Sequence, residues 1–205
     1  TNALTTYLPE KIADSIRWKT NESILFGSGN AVPIGCLNAG ATVTVAKEKD
    51  QATQTLLPHN LAKMISRLPT GSFANAVWII NNDVLPALFT LSLGNYPIYL
   101  PMGLSVGGIQ VSPYGTLLGR PVFVSQHANT FSSQGDILLL DLSYYQTITK
   151  AGGLQTATSM HLYFDSGLTA FRTTFRMDGQ SKIGAPITPA KSNATMSPFI
   201  QLAAR

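Results

Sequence analysis

The 205-residue sequence predicts an α+β fold, and three observations carry the prediction. An amphipathic helix opens the chain at residues 5–26. A strand at residues 77–80 is followed by a helix running through Phe89. Two strands joined by a polar bridge fill residues 117–152. A strand, a helix and further strands on either side make an α+β core. The length suits one domain or two small lobes and can bury a real core. Hydrophobic residues make up 44%, as in ordinary globular chains, but charged residues only 12%, against roughly 25% in a typical soluble protein. So little charge favours a chain whose faces are covered by neighbours.

The first helix has Pro9 in its first turn, where a missing N–H costs least, so regular helix is expected from about Leu8. Ile12, Ala13, Ile16, Thr20 and Ile24 recur at three- and four-residue spacing and form one stripe, and Gly27 and Gly29 end the helix. Residues 41–46 alternate as a strand does. Residues 47–54, the most charged stretch, read as a loop or hairpin tip. Residues 58–68 form a second helix with Leu61, Met64, Ile65 and Leu68 on one side, stopped by Pro69-Thr70-Gly71. Residues 77–80 are a buried strand, and Asn82 or Asp83 caps the helix after it.

Residues 91–118 have no period. They mix glycine, Pro97, Pro101 and Pro113 with apolar side chains, and read as a loop region whose apolar groups meet something. Gly119 supplies a turn and Pro121 begins a strand through Val124. Residues 126–134 are Ser-rich and read as an exposed connection. Ile137 to Leu140 is an apolar run between Asp136 and Asp141, and residues 144–149 alternate as a half-buried strand. Residues 186–197 form a small-residue linker before a final apolar segment.

The net charge is +4, from 14 Lys and Arg against 10 Asp and Glu. It comes from scarce acids and not from clustered bases, so specific DNA reading is not indicated. Cys36 is the only cysteine, which excludes an intrachain disulfide. His59, His127 and His161 lie far apart with no ligand spacing between them, so no metal or cofactor is expected. No apolar run is long enough to cross a bilayer. Gly103-Leu104-Ser105-Val106-Gly107 fits the nucleophile elbow of serine hydrolases, with Asp141 and His161 following in that order. An elbow needs a helix directly after the serine. Residues 108–115 carry β-formers, glycine and proline instead, so Ser105 is not expected to be a nucleophile. Asp136 and Asp141 are an odd five positions apart on a strand and point to opposite faces, which argues against an acid–base pair.

The order Leu117-Leu118-Gly119-Arg120-Pro121-Val122, then Gly135-Asp136, then an aromatic-bearing strand resembles the major capsid proteins of tailed DNA bacteriophages, with the Hong Kong ninety-seven-type fold. Four further segments match collinearly. Residues 4–26 resemble the family's spine helix, with its glycine turn at Gly27, Gly29, Pro33 and Gly35. Ala76-Val77-Trp78-Ile79-Ile80-Asn81 resembles its Trp-containing strand. Residues 171–179 resemble its last long strand and Arg-x-Asp-Gly turn, and residues 197–202 its C-terminal close. The resemblance implies a peripheral lobe with the spine helix at residues 1–40, an axial lobe at 41–145 and a return of the peripheral lobe at 146–205.

It further implies a structural major capsid (head) protein of a phage or prophage that forms pentamers and hexamers with itself in an icosahedral shell, and no enzyme. Implied partners are packaged DNA, contacted without sequence specificity, and portal, scaffold or decoration proteins, with no membrane. The implied location is the virion, with the bacterial host cytoplasm during assembly. The inferred subunit-interface loop carries Tyr96, Ile98, Met102 and Leu104. The family places an arm and an extended hairpin before the spine helix, so the resemblance implies an N-terminally truncated member that is a monomer or weak oligomer when dilute. Alternatives are an encapsulin-like compartment shell, a serine hydrolase using Ser105, and a binding module whose cleft is residues 91–118.

Overall fold

A short strand that is apolar at every position must be covered on both faces. In the computed structural model this is the state of Ile137–Leu140, all four residues of which are buried. The structure describes residues 2–101, 104, 105, 108, 109 and 115–205; for residues 2–6, 104, 105, 108, 109 and Met160 it describes the backbone.

The chain begins with helix α1 (Asn2–Phe26), then β1 (Val43–Val45), helix α2 (Pro58–Ser66), β2 (Val77–Ile80) and the short helix α3 (Leu85–Phe89). Six short strands and turns follow: β3 (Ser92–Leu93), β4 (Tyr96–Pro97), β5 (Tyr99–Leu100), β6 (Leu104–Ser105), β7 (Gly108–Ile109) and β8 (Thr116–Leu117). Then come β9 (Arg120–Val124), β10 (Ile137–Leu140), β11 (Tyr145–Thr149), β12 (Gln155–Tyr163), β13 (Leu168–Thr174), β14 (Met177–Ser181) and β15 (Phe199–Leu202).

Seven strands form one mixed sheet in the order β1-β15-β10-β2-β9-β8-β5. Trp78 sits at its middle, opposite Leu139 on one side and Val122 on the other. It is fully buried, and its indole Nε1 donates to the Leu117 carbonyl at 2.9 Å, which satisfies the one polar atom burial would strand. Alternate side chains take opposite faces of the sheet. Val45, Ile200, Leu202, Ile137, Leu139, Trp78, Ile80, Val122, Leu117 and Tyr99 build one core with Leu61, Met64 and Leu68 of the α2 region and Val84 and Leu88 near α3. The other face carries Leu138, Leu140 and Phe199. It is covered by Leu25 at the end of α1, by Cys36, Leu37 and Ala41, and by Tyr145.

Outside the sheet, β11 pairs with β14 and β12 with β13, so residues 145–181 make a long two-stranded ribbon. Its base is tied to the body: Tyr145 donates its hydroxyl to the Ile34 carbonyl at 2.8 Å, and the Ile34 N–H donates to Gly179 O at 2.9 Å. The glycine turn after α1 has a steric cause. A Cβ on Gly35 would lie 2.5 Å from the Gly27 nitrogen and 2.6 Å from the Leu25 carbonyl. The close approach lets Cys36 and Leu37 donate to Ile24 and Leu25 O at 2.8 and 3.1 Å.

Several expectations need correction. α1 starts at Asn2 and not near Leu8, with Pro9 inside it, so the helix lacks one backbone bond there and continues through. Residues 47–54 are not a hairpin tip. Gln51 is buried and accepts from Asn60 Nδ2 and the Glu48 N–H, and Lys63 bonds Glu48, which fastens this stretch to α2. The cap before α3 is Asn81, whose side chain accepts from the Asp83 N–H at 3.1 Å ahead of a 3-10 turn at Asn82–Val84. The 126–134 connection is half sunk into the body: Ala128 and Ser132 are buried and Phe131 packs on the core. Met177-Asp178-Gly179 lies inside β14 and is no turn. The 144–149 strand is largely exposed after Tyr145. The final strand sits between β1 and β10 in the main sheet, so residues 199–202 pack with the segment expected at 41–145 and not with the ribbon.

Candidate assembly surface

The described apolar surface concentrates at two places, and each follows from its local structure. The first is the tip of the ribbon. Among the described residues, strands β12 and β13 pair only with each other, and the side chains near their turn are exposed. Leu162, Tyr163, Phe164 and Leu168 are therefore 67%, 48%, 81% and 61% exposed around the turn Asp165-Ser166-Gly167. Asp165 stabilises that turn by accepting from the Ser166 N–H at 3.0 Å, and Gly167 adopts a φ of +64°. The second place is the β3–β4 hairpin after α3, where Phe89, Leu93 and Tyr96 are exposed and the Phe89 ring meets the edge of Tyr99 at 5.4 Å.

A third apolar feature is concave. Between the C-terminal half of α1 and the sheet lies an open groove of about 460 Å³, lined by Ile24, Val77, Ile79, Phe123, His127 and Leu142 among others. At this end of the second face Val77, Ile79 and Phe123 are only partly buried, whereas Leu138, Leu140 and Phe199 are fully buried. His127 at this groove meets Trp18 of α1, ring centroids 4.1 Å apart and planes tilted by 48°.

Of the four expected interface residues, Tyr96 is exposed on β4, whereas Ile98 packs against the main core. That packing makes Ile98 part of the fold's support and not a free contact side chain. Met102 lies outside the described residues, and Leu104 is described only as backbone in β6. The residues 91–118 are not a simple loop: β3–β4, β5–β8 and β6–β7 pair, and Tyr99 and Leu117 are buried in the core.

The hydrolase constellation does not form. Ser105 pairs with Gly108 across a two-residue connection, so strand leads to strand where an elbow requires a helix. Asp141 is buried and turned to Ser143, accepting from its N–H at 3.0 Å and its hydroxyl at 2.6 Å. His161 is exposed on the ribbon. Among the described residues no three His, Cys, Asp or Glu side chains gather as a metal requires. Among them, too, no helix is long and apolar enough to cross a membrane.

One polar constellation was not foreseen. Asp136 and Arg205, 69 positions apart, form a bidentate pair at 3.1 and 2.5 Å with both side chains fully buried. Ser132 N–H donates to Asp136 at 2.9 Å, Arg205 Nε donates to Thr55 O at 2.9 Å, and the guanidinium lies over Phe131. Burial pushes the Asp136 carboxyl above its ordinary value, against the pull of the Arg205 guanidinium. The pair fastens the last residues of the chain to the end of β10 and touches no cavity chemistry. Its only sequence signal was an aspartate adjoining an entirely apolar strand.

The architecture is that of a structural shell protein: a long helix, a two-stranded ribbon and a mixed sheet with apolar surface at its extremities. Residues 1–192 match the phage capsid family, and the chain belongs to it. In solved structures it is similar to the capsid of an empty GTA particle computed with C5 symmetry, with a TM-score of 0.71, 18% identity, and 98% of this chain aligned to 67% of that one. It is also similar to the capsid of a native GTA particle computed with C5 symmetry, with a TM-score of 0.67, 17% identity, and coverage of 98% and 66%. At that identity the likeness establishes the fold, which is the phage capsid fold expected from the sequence. No curated protein matches the chain in sequence.

Proposed function

We propose that this capsid-family chain works by assembly alone, building closed rings of five and six subunits that join into an icosahedral shell around DNA. The observation that carries the reading is the presence of exposed apolar side chains on two separate hairpins, Phe164 at the ribbon tip and Tyr96 on the β3–β4 hairpin. Contiguous apolar surface of this kind marks contact sites. In this reading α1 and the ribbon form the peripheral lobe, and the main sheet with α2 and α3 forms the axial lobe. Head-to-tail contacts close into rings because each subunit presents two different surfaces. Tyr96 and its neighbours Met102 and Leu104 belong to the axial contact. DNA is contacted without sequence reading, and portal, scaffold or decoration proteins are partners of the finished head. The particle is the virion, assembled in the host cytoplasm, and no turnover chemistry is involved.

Sedimentation across a concentration series, with electron microscopy of the fast fraction, tests the reading. Association that rises with concentration and weakens with Tyr96→Asp is the expected result. A monomer at every concentration overturns it. Ester hydrolysis that disappears in Ser105→Ala would overturn the non-enzymatic part.

A further inference from the structure

The chain's positive charge is not spread evenly. Residues 145–191 hold five Lys and Arg against two Asp, and the rest of the chain holds nine bases against eight acids. Three of the four net positive charges therefore belong to the ribbon and the few residues after it. No run of bases announces this in the sequence, because side chains on one face of a strand recur at every second position.

The exposure follows that alternation. From Thr173 to Lys182 every odd position is wholly or partly buried and every even position is exposed. The odd positions turn to the body, where Thr173, Phe175 and Met177 line a recess with Ile16 and Thr20 of α1. The even positions Thr174, Arg176, Asp178, Gln180 and Lys182 face away, and exposed Arg172 precedes them in step. The neighbouring strand adds to the same face. Ile148 stands opposite Asp178 and Gln146 opposite Gln180, and the Lys150 N–H donates to Arg176 O at 3.0 Å, which sets Lys150 beside Arg176. One face thus carries Arg172, Lys150, Arg176 and Lys182 against the single acid Asp178. On an extended chain Arg172 and Lys182 are about 33 Å apart.

Elsewhere Arg17, Lys19, Lys63 and Arg205 pair with acids. Among the described residues no acid pairs with Lys150, Arg172 or Arg176, and Lys182 donates to the Ser143 carbonyl at 2.8 Å, which leaves its charge uncompensated. Lys150 and Arg176 are like charges directly across a strand pair, an arrangement that repels until an anion lies against both.

We infer that this outward face of the ribbon binds the phosphate backbone of double-stranded DNA, with Arg172, Lys150, Arg176 and Lys182 toward phosphates. This rests on the shell reading above, in which the shell encloses DNA, and names the surface that meets it. Four bases strung along an extended ribbon complement a polyanion whose charge repeats along an axis. Between Arg172 and Lys182 the face carries no aromatic ring, so single strands find no stacking platform. A second copy of the chain offers no matching acidic patch. Four of its acids are in ion pairs, Asp141 is buried, and the exposed acids off the ribbon, Glu10, Asp50 and Asp83, stand on three separate elements. Contacts to phosphate hold a duplex without reading its sequence.

Fluorescence anisotropy of a labelled duplex, titrated with the dilute full chain, tests the assignment. Four phosphate contacts give a slope of log affinity against log salt of about −3.6, so binding is expected to weaken about fiftyfold between about 50 and 150 mM salt. Duplexes of unrelated sequence are expected to bind alike. Arg172→Gln with Arg176→Gln, at exposed sites, is expected to lower the slope by about two and the affinity by at least about tenfold at the lower salt, with an unchanged melting midpoint. Lys47→Gln with Lys49→Gln removes the same charge from exposed positions in another part of the molecule, and is expected to change binding less than about twofold. Equal weakening by the two pairs means that net charge alone acts, and overturns the face. Tighter binding of single-stranded DNA, or of polyglutamate at equal charge, overturns the duplex as occupant. Absence of salt-dependent binding overturns the inference and leaves the shell reading to the self-association of the unmodified chain, measured without DNA.

Discussion

The main sheet and the ribbon are both β-structure, yet they are built on opposite terms. In β10 every residue is buried, and its side chains pack into a core on each face of the sheet. In the ribbon β13 reads exposed at five of seven positions, and its companion layer is only the half-buried stripe of α1. The sheet spends its apolar side chains inside the molecule; the ribbon leaves them outside. A two-stranded ribbon is marginal by itself, so its exposed apolar groups gain nothing for the monomer. Stability resides in the first region, and the association proposed above would draw on the second.

The comparison predicts a wide gap between substitutions in the two regions. Trp78→Ala empties a fully buried site at the sheet's centre and strands the Leu117 carbonyl, costing about 3–5 kcal/mol by denaturant melts. An unmoved midpoint would remove the sheet as the seat of stability. Asp136→Ala leaves the Arg205 guanidinium buried without its counterion, and should cost about 3–5 kcal/mol as well, with Arg205→Ala alike and the double variant less than additive.

Alkaline pH sharpens the contrast. Burial pushes the Cys36 thiol from 9.0 up to about 12, and burial first, then the charges of Cys36 and Asp178, push the Tyr145 phenol up to about 12. Both groups hold their protons more tightly folded than unfolded. Their stabilisation is complete below about pH 9 and is lost between 9 and 12, at about 1.4 kcal/mol per pH unit for the thiol. Cys36→Ala should flatten the decline measured by unfolding at pH 8, 9 and 10. The smallest effect belongs to the ribbon: Leu162→Ser should change stability by less than about 0.5 kcal/mol, while reducing association. A large loss of stability there would place the tip in a core after all.

Much of the fold was legible because it is local. The strands at 77–80 and 137–140 and the apolar set Leu61, Met64 and Leu68 are patterns of period and composition; the structure buries the second strand and the helix set throughout, and the first strand at Trp78 and Ile80 with Val77 and Ile79 half-buried. The glycines at 27 and 35 were visible as a motif, and the clash a Cβ would make explains them. The exposed state of Tyr96 was legible too. The core position of Ile98 was not, since both belong to the same aperiodic stretch and differ only in what lies across from them.

By itself, the sequence determined the first two helices and the strands at 77–80, 120–124 and 137–140, that the chain has little charge for its surface, and the order of motifs shared with phage capsid proteins. Periodicity, turn chemistry and steric demands act within a few residues, so they survive in a one-dimensional string. Tertiary structure alone decided that β15 inserts between β1 and β10, that Asp136 finds Arg205, and that a groove lies between the end of α1 and the sheet. Those outcomes depend on which distant segments win the contest to bury apolar area and satisfy polar atoms. That contest is settled only when the whole chain is folded.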